Sequence, residues 1–328
     1  MRRSLVAVAA AGLLVACSGA AADDATSPSL RPVPRLDRDQ VPAEPESAAR
    51  PTAEAEVEVE VEPRAELPRG GRTIFPDHRL IGFSGGRAES FGRLGIGDID
   101  ERATELEELA ADYTADGKTP LPIFELIAVI AHGFPTENGL YRTREPAEVI
   151  DEYLAAARRH DALLVLNVQP GRADFIDDVR ALEPWLLEPD VGLALDPEWA
   201  VGSNQVPGRN LGWTTGEELD SVASYLSGLV REHDLPEKVL IYHQFHVTSV
   251  RDEHDLRPHP GIVLVKSVDG VGVPQEKVAT WNRLTEDLPH YVYSGFKLFF
   301  DEDTRRGPLM EPAEVLGLRP QPSYVLYE

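Results

Sequence analysis

The segment Asp196-Pro197-Glu198-Trp199 sets two carboxyl groups two residues apart beside an indole. Neighbouring carboxyls can divide acid–base work when their surroundings separate their pKa values, one holding a proton near neutrality and the other staying ionised. The residues just before the pair, 191–195, read Val-Gly-Leu-Ala-Leu. Side chains alternate along a strand, so Val191, Leu193 and Leu195 take one face, and Gly192, Ala194, Asp196 and Glu198 the other. Pro197 has no N–H to give a ladder and ends the strand. Asp196 and Glu198 are therefore the candidate catalytic pair, at a strand end above small residues. Neighbours two apart on one strand face lie about 6.5–7 Å apart at Cα.

Other apolar runs end in polar residues. Asn167 and Gln169 share one face of 162–169, just before Pro170-Gly171. In 239–245 the alternation puts either Tyr242 and Gln244 or His243 on the inner face, and the sequence does not choose. Lys266 and Asp269 flank the end of 262–267. Lys297 sits in 291–299, ahead of Asp301-Glu302-Asp303, an acidic run read as a solvated loop. The candidate substrate-binding side chains are Asn167, Gln169, Trp199, Tyr242, Gln244, Lys266 and Lys297. Glu125 lies early in 123–131. There is no HExxH, CxxC or clustered histidine pair to hold a transition metal, and no GxSxG for a serine hydrolase. No cofactor and no metal are expected.

These residues need a frame. Apolar runs of strand length recur at 79–84, 123–131, 162–169, 191–196, 239–245, 262–267, 291–299 and 323–327. Helical patterns separate them at 98–112, 145–159, 174–187, 215–233 and 274–284. Thr215 and Glu218 have capping-box spacing. Strand runs nearly continuous in Val, Ile and Leu mark parallel strands buried on both faces. Eight of them, alternating with helices, predict an α/β fold of the (β/α)8 TIM-barrel type, in which strand C-terminal ends carry the chemistry. An open doubly wound sheet is the competing arrangement, but no GxGxxG or GxxxxGK[ST] follows the first strand. The sequence ends at Glu328, inside or just after the eighth run, so the final helix is expected to be missing.

A D-x-E pair ending the fourth strand, with Asn167 and Gln169 one strand earlier, resembles the glycoside hydrolase barrel superfamily, including its chitinase-like and lysozyme-like members. Positions 192 and 194 are Gly and Ala where the chitinase-like series is acidic. The first strand ends Gly82-Phe83-Ser84-Gly85 where the lysozyme-like pattern has an acid. The resemblance implies that Glu198 protonates the leaving oxygen and that Asp196 orients the substrate or stabilises oxocarbenium-like charge. It further implies that Asn167, Gln169 and Gln244 bond sugar hydroxyls, and that Trp199 and Trp213 stack on sugar rings. The competing reading is a barrel that binds a glycan or a protein and does no chemistry.

The N-terminus predicts where this would happen. Arg2 and Arg3 precede a short apolar stretch at 5–15, which fits a signal peptide better than a membrane span of about 20 residues. Leu14-Val15-Ala16-Cys17 resembles the bacterial lipobox. That resemblance implies a signal peptide at 1–16, a diacylated Cys17, and a lipid-anchored protein on the extracytoplasmic face of the cell membrane, exported by the Sec or twin-arginine route. Cys17 is the sole cysteine, so it forms no internal disulfide. Residues 17–72 then read as a tether rich in Pro, Ala and Glu, with AEAEVEVEVE at 53–62, and 73–328 as one barrel domain. Asp and Glu outnumber Lys and Arg 56 to 32, a net charge of −24 that argues against nucleic acid as a partner. Membrane contact through Cys17 and an envelope polysaccharide are the expected partners.

Overall fold

The computed structural model describes residues 64–114 and 116–328. The expected signal peptide, Cys17 and the expected tether up to residue 63 lie outside the described residues. The eight runs form eight strands: β1 His78–Gly85, β2 Thr119–Ala131, β3 Leu163–Val168, β4 Val191–Leu195, β5 Lys238–Gln244, β6 Ile262–Val268, β7 Val292–Leu298 and β8 Tyr324–Tyr327. Each pairs in parallel with the next. β8 returns to β1 through Leu80↔Tyr324 to Phe83↔Tyr327, closing a TIM-type barrel. Closure leaves no free strand edge among the eight, whereas an open sheet would leave two. A short strand, Arg142–Arg144, adds antiparallel to the end of β2.

Helices α1 Ile99–Ala110, α2 Ala147–Arg159, α3 Phe175–Ala181, α4 Glu183–Leu186, α5 Gly216–Glu232, α6 Pro274–Thr285 and α7 Pro312–Leu316 form the outer layer. Asp98 caps α1 by accepting from the Asp100 and Glu101 N–H groups. Thr215 caps α5 through the Glu218 N–H, but the Glu218 carboxylate accepts from Thr214 Oγ1 instead of completing the box. β8 is the last element, as the strand count predicts. The sequence shows no helical pattern between 239–245 and 262–267, and no α-helix joins β5 to β6, where a short strand at Val250–Arg251 and a 3-10 turn at Glu253–Asp255 stand. Glu253 does part of a helix's work there. It accepts from the Tyr242 hydroxyl at 2.5 Å and from Lys266 Nζ at 2.7 Å, satisfying two polar groups that point out of the barrel.

The barrel interior is layered. Leu80, Ile123, Leu163, Val165, Val239, Ile241, Val263 and Val265 fill the lower part. Leu67, Ile74 and Phe75 join that cluster, so residues 64–72, which composition groups with the tether, already contribute to the packed body. Small inner residues make room. A Cβ on Gly192 would come within 2.6 Å of Val239, and one on Gly295 within 2.5 Å of the Tyr324 ring. Outward residues such as Val191, Leu193 and Leu195 join the larger cluster beneath the helices. The upper interior is polar, and it is the floor of the site.

Candidate active site

Residues from most of the strands bring the polar floor together. Asp196 directly follows β4, and its carboxylate accepts from Asn167 Nδ2 at 3.2 Å and Gln169 Nε2 at 3.1 Å. Gln169 is itself held by the Ala131 N–H, which donates to its Oε1 at 3.1 Å. Both amides therefore arrive with orientation fixed. Two residues lower than Asn167 in the strand register, Glu125 of β2 accepts from Tyr324 at 2.6 Å and from Asn167 at 3.1 Å. Gly295 admits the Tyr324 ring to that position.

His243 of β5 sits at the centre and is fully buried. Its Nδ1 lies 2.7 Å from Asp269 Oδ2. Its Nε2 lies 3.1 Å from Glu125 Oε1 and 3.8 Å from Asp196 Oδ1, ion-pair distances without an aligned hydrogen bond. Ser267 donates to the second Asp269 oxygen at 2.7 Å. Lys297 of β7 lies 3.6 Å from Asp269 and 2.5 Å from the Glu328 carboxylate.

This arrangement separates the carboxyl pKa values. Burial alone would raise Glu125 and Asp269, but the nearby His243 and Lys297 charges hold both below the usual range. Burial also raises Asp196, and there the same two cations offset only part of the rise. Glu198 is pushed well above the ordinary range, by burial first and then by the Asp196 and Asp269 charges. His243 and Lys297 would be depressed by burial, yet their carboxylate partners drive both well above their ordinary values. The floor thus combines two cations with ionised Glu125 and Asp269, and its surroundings favour the protonated form of Glu198.

Glu198 does not continue strand alternation. It lies in a 3-10 turn, Pro197–Trp199, whose backbone is tied to the next loop by the Gly212 N–H donating to the Glu198 carbonyl at 2.8 Å. Its Oε2 is buried and has no hydrogen-bond partner among the described residues. Glu198, Asp196, Gln169, Trp199, Asp269 and Lys297 all line one cavity of about 500 Å³ at the barrel mouth.

The predicted residues sort by side-chain direction. Asp196, Glu198, Gln169, Trp199 and Lys297 meet at the cavity, and Asn167 lies beneath it. Three of the seven substrate-binding candidates are corrected. Tyr242 and Lys266 point outward to Glu253, and Lys266 also donates to the Leu284 carbonyl. Gln244 donates to the His246 carbonyl and does not line the cavity. Of the two parities open in β5, the inner one is His243, in step with Val239 and Ile241 of the interior cluster. Trp213 is also outside the cavity, its ring covered by the Arg251 guanidinium at 3.9 Å. Asp303 is not a solvated loop acid: it is buried and lies 2.9 Å from Lys277 Nζ. Glu125, His243 and Asp269, noted along the strands but assigned no role in the site, belong to its floor. A buried glutamate inside an apolar strand run was the one signal available for Glu125.

No protein family model matches the chain, and no curated protein matches it. Among solved structures, a hyperthermophilic endo-beta-1,4-glucanase in complex with substrate aligns at TM-score 0.37 and 10% identity, over 76% of this chain and 88% of that chain. The barrel assignment stands on the strand pairing described above.

Proposed function

We propose that the protein is a glycoside hydrolase in which Glu198 is the general acid and Asp196 the carboxylate facing the developing charge. One observation carries the reading: a buried, unpartnered Glu198 oxygen, whose surroundings favour the protonated form, lines the same cavity as an Asp196 fixed by two amides. The Glu198 proton passes to the glycosidic oxygen as the C1–O bond breaks, and water completes the hydrolysis. The carboxylates around the cavity, Asp196, Asp269 and Glu328, favour positive charge developing at the anomeric carbon. They oppose phosphoryl substrates, since Lys297 is already paired with Asp269 and Glu328. Trp199, Phe245 and Phe299 provide apolar wall for sugar faces. Lipid on Cys17 would anchor the enzyme outside the cytoplasm, making an envelope polysaccharide its substrate.

The test incubates the full chain with purified envelope glycans and follows new reducing ends. Release is expected, with a loss of at least about 100-fold in Glu198→Gln. No release from any glycan, with glycan binding equal in wild type and variant, would leave a binding barrel instead. Anchoring is read separately, as loss of the protein from the membrane fraction in Cys17→Ser.

A further inference from the structure

A second cavity, of about 390 Å³, adjoins the first on the far side of Glu198. Glu198, Trp199 and Phe245 line both, so the acid stands at their junction. The two sides differ in chemistry. The first holds Asp196, Gln169, Asp269 and Lys297, groups suited to sugar hydroxyls and to charge at the anomeric carbon. The second adds Leu211 and Arg209 to the shared aromatic wall. Leu211 and Phe245 are 40% and 41% exposed, apolar surface left open beside a buried acid.

The wall of the second cavity is built onto the turn that carries Glu198. The Gly212 N–H donates to the Glu198 carbonyl at 2.8 Å, and the Trp213 N–H to the Ala200 carbonyl at 3.0 Å. A Cβ at Gly212 would come within 2.5 Å of the Ala200 oxygen, so the close approach requires glycine there. Acid and wall are therefore placed together.

We propose that this second cavity is a saccharide subsite for the sugar ring that departs with the oxygen Glu198 protonates, so that the enzyme holds its glycan on both sides of the cleaved bond. The proposal rests on the acid role of Glu198. A ring stacked on Trp199 and Phe245 leaves its hydroxyls toward Arg209 and solvent, the arrangement aromatic walls favour. Cleavage then falls within a chain held across the mouth, so products are oligosaccharides from the outset.

The experiment measures binding of β-1,4-linked glucose and N-acetylglucosamine oligosaccharides, two to six units long, to Glu198→Gln protein by calorimetry. Affinity is expected to rise with length. Adding Arg209→Ala, at a residue that lines the second cavity and not the first, should weaken the longer oligosaccharides roughly 3–10-fold with the shortest unchanged, and adding Arg209→Lys should restore part of the loss. Affinity independent of length, or equal weakening at every length, overturns the subsite. If wild type still releases reducing ends, the hydrolase reading survives that result. If wild type releases none from any glycan, the hydrolase reading fails and the subsite with it.

Discussion

Lys238 and Lys297 are both buried, at opposite ends of their strands, and their charges fare differently. Lys238 opens β5 and donates to the Glu188 and Val191 carbonyls at 2.7 and 2.9 Å. Burial dominates, and its pKa drops to about 7. Lys297, near the end of β7, meets Glu328 and Asp269, and burial is overcome. A lone cation among carbonyls is tolerated as a staple. A cation among carboxylates belongs to a set of charges held in place. The barrel thus gathers His243, Lys297 and several carboxylates into one connected cluster where strand tips converge, whereas at the other end each buried cation keeps its own partners, Lys238 two carbonyls and Arg79 the Asp116 carboxylate. Buried ion pairs contribute little to stability once desolvation is counted, so the upper cluster is better explained by chemistry than by folding.

The contrast can be broken most severely at His243. His243→Gln removes the cation shared by Glu125, Asp196 and Asp269 and leaves buried carboxylates uncompensated, at a cost of about 3–5 kcal/mol by denaturant unfolding. The histidine's folded pKa is raised, so its stabilising contribution is complete below the unfolded value of about 6.5 and fades as pH rises through the folded pKa. The deficit of the variant should shrink in alkaline buffer. In the same variant Asp196 loses its strongest offsetting charge, so the acidic limb of the pH–activity profile should move to higher pH. An unmoved limb would remove Asp196 from the ionised role.

Glu198→Gln sharpens the contrast from the other side. With its folded pKa raised, native Glu198 keeps a proton that the unfolded chain releases. Stability therefore falls as pH climbs from the ordinary carboxyl range through the folded value. The glutamine lacks that loss, so its Tm should exceed wild type by a margin that widens over that window. A parallel pair of Tm–pH curves would contradict a protonated Glu198.

The smallest effect belongs to the lower end. Native Lys238 binds fewer protons than the unfolded chain between about 7 and its usual value, so wild-type stability should rise with pH across that interval. Lys238→Met should flatten the rise and leave activity unchanged. A change in pH–activity profile would mean that the two ends of the barrel are coupled.

The eight strands were legible because strands buried on both faces must be apolar almost throughout, and runs such as 162–169 and 191–196 show that directly. The Asp196/Glu198 pair was legible because Pro197 marks the strand end beside it. The same apolar uniformity hid the rest. Alternation states which residues share a face, but when both faces are apolar it does not say which face is inward. Only closure of the barrel turned His243 inside and sent Tyr242 and Lys266 out to Glu253, a residue on the 3-10 turn between β5 and β6. Only closure, too, brought Glu125, Asp269 and Lys297, from three separate strands, to one histidine and its partners. Each strand's pattern is local, whereas a charge cluster is a sum over distant strands. The kinds of residue at the strand tips could therefore be read along the chain, and their mutual pKa values were decided by the fold.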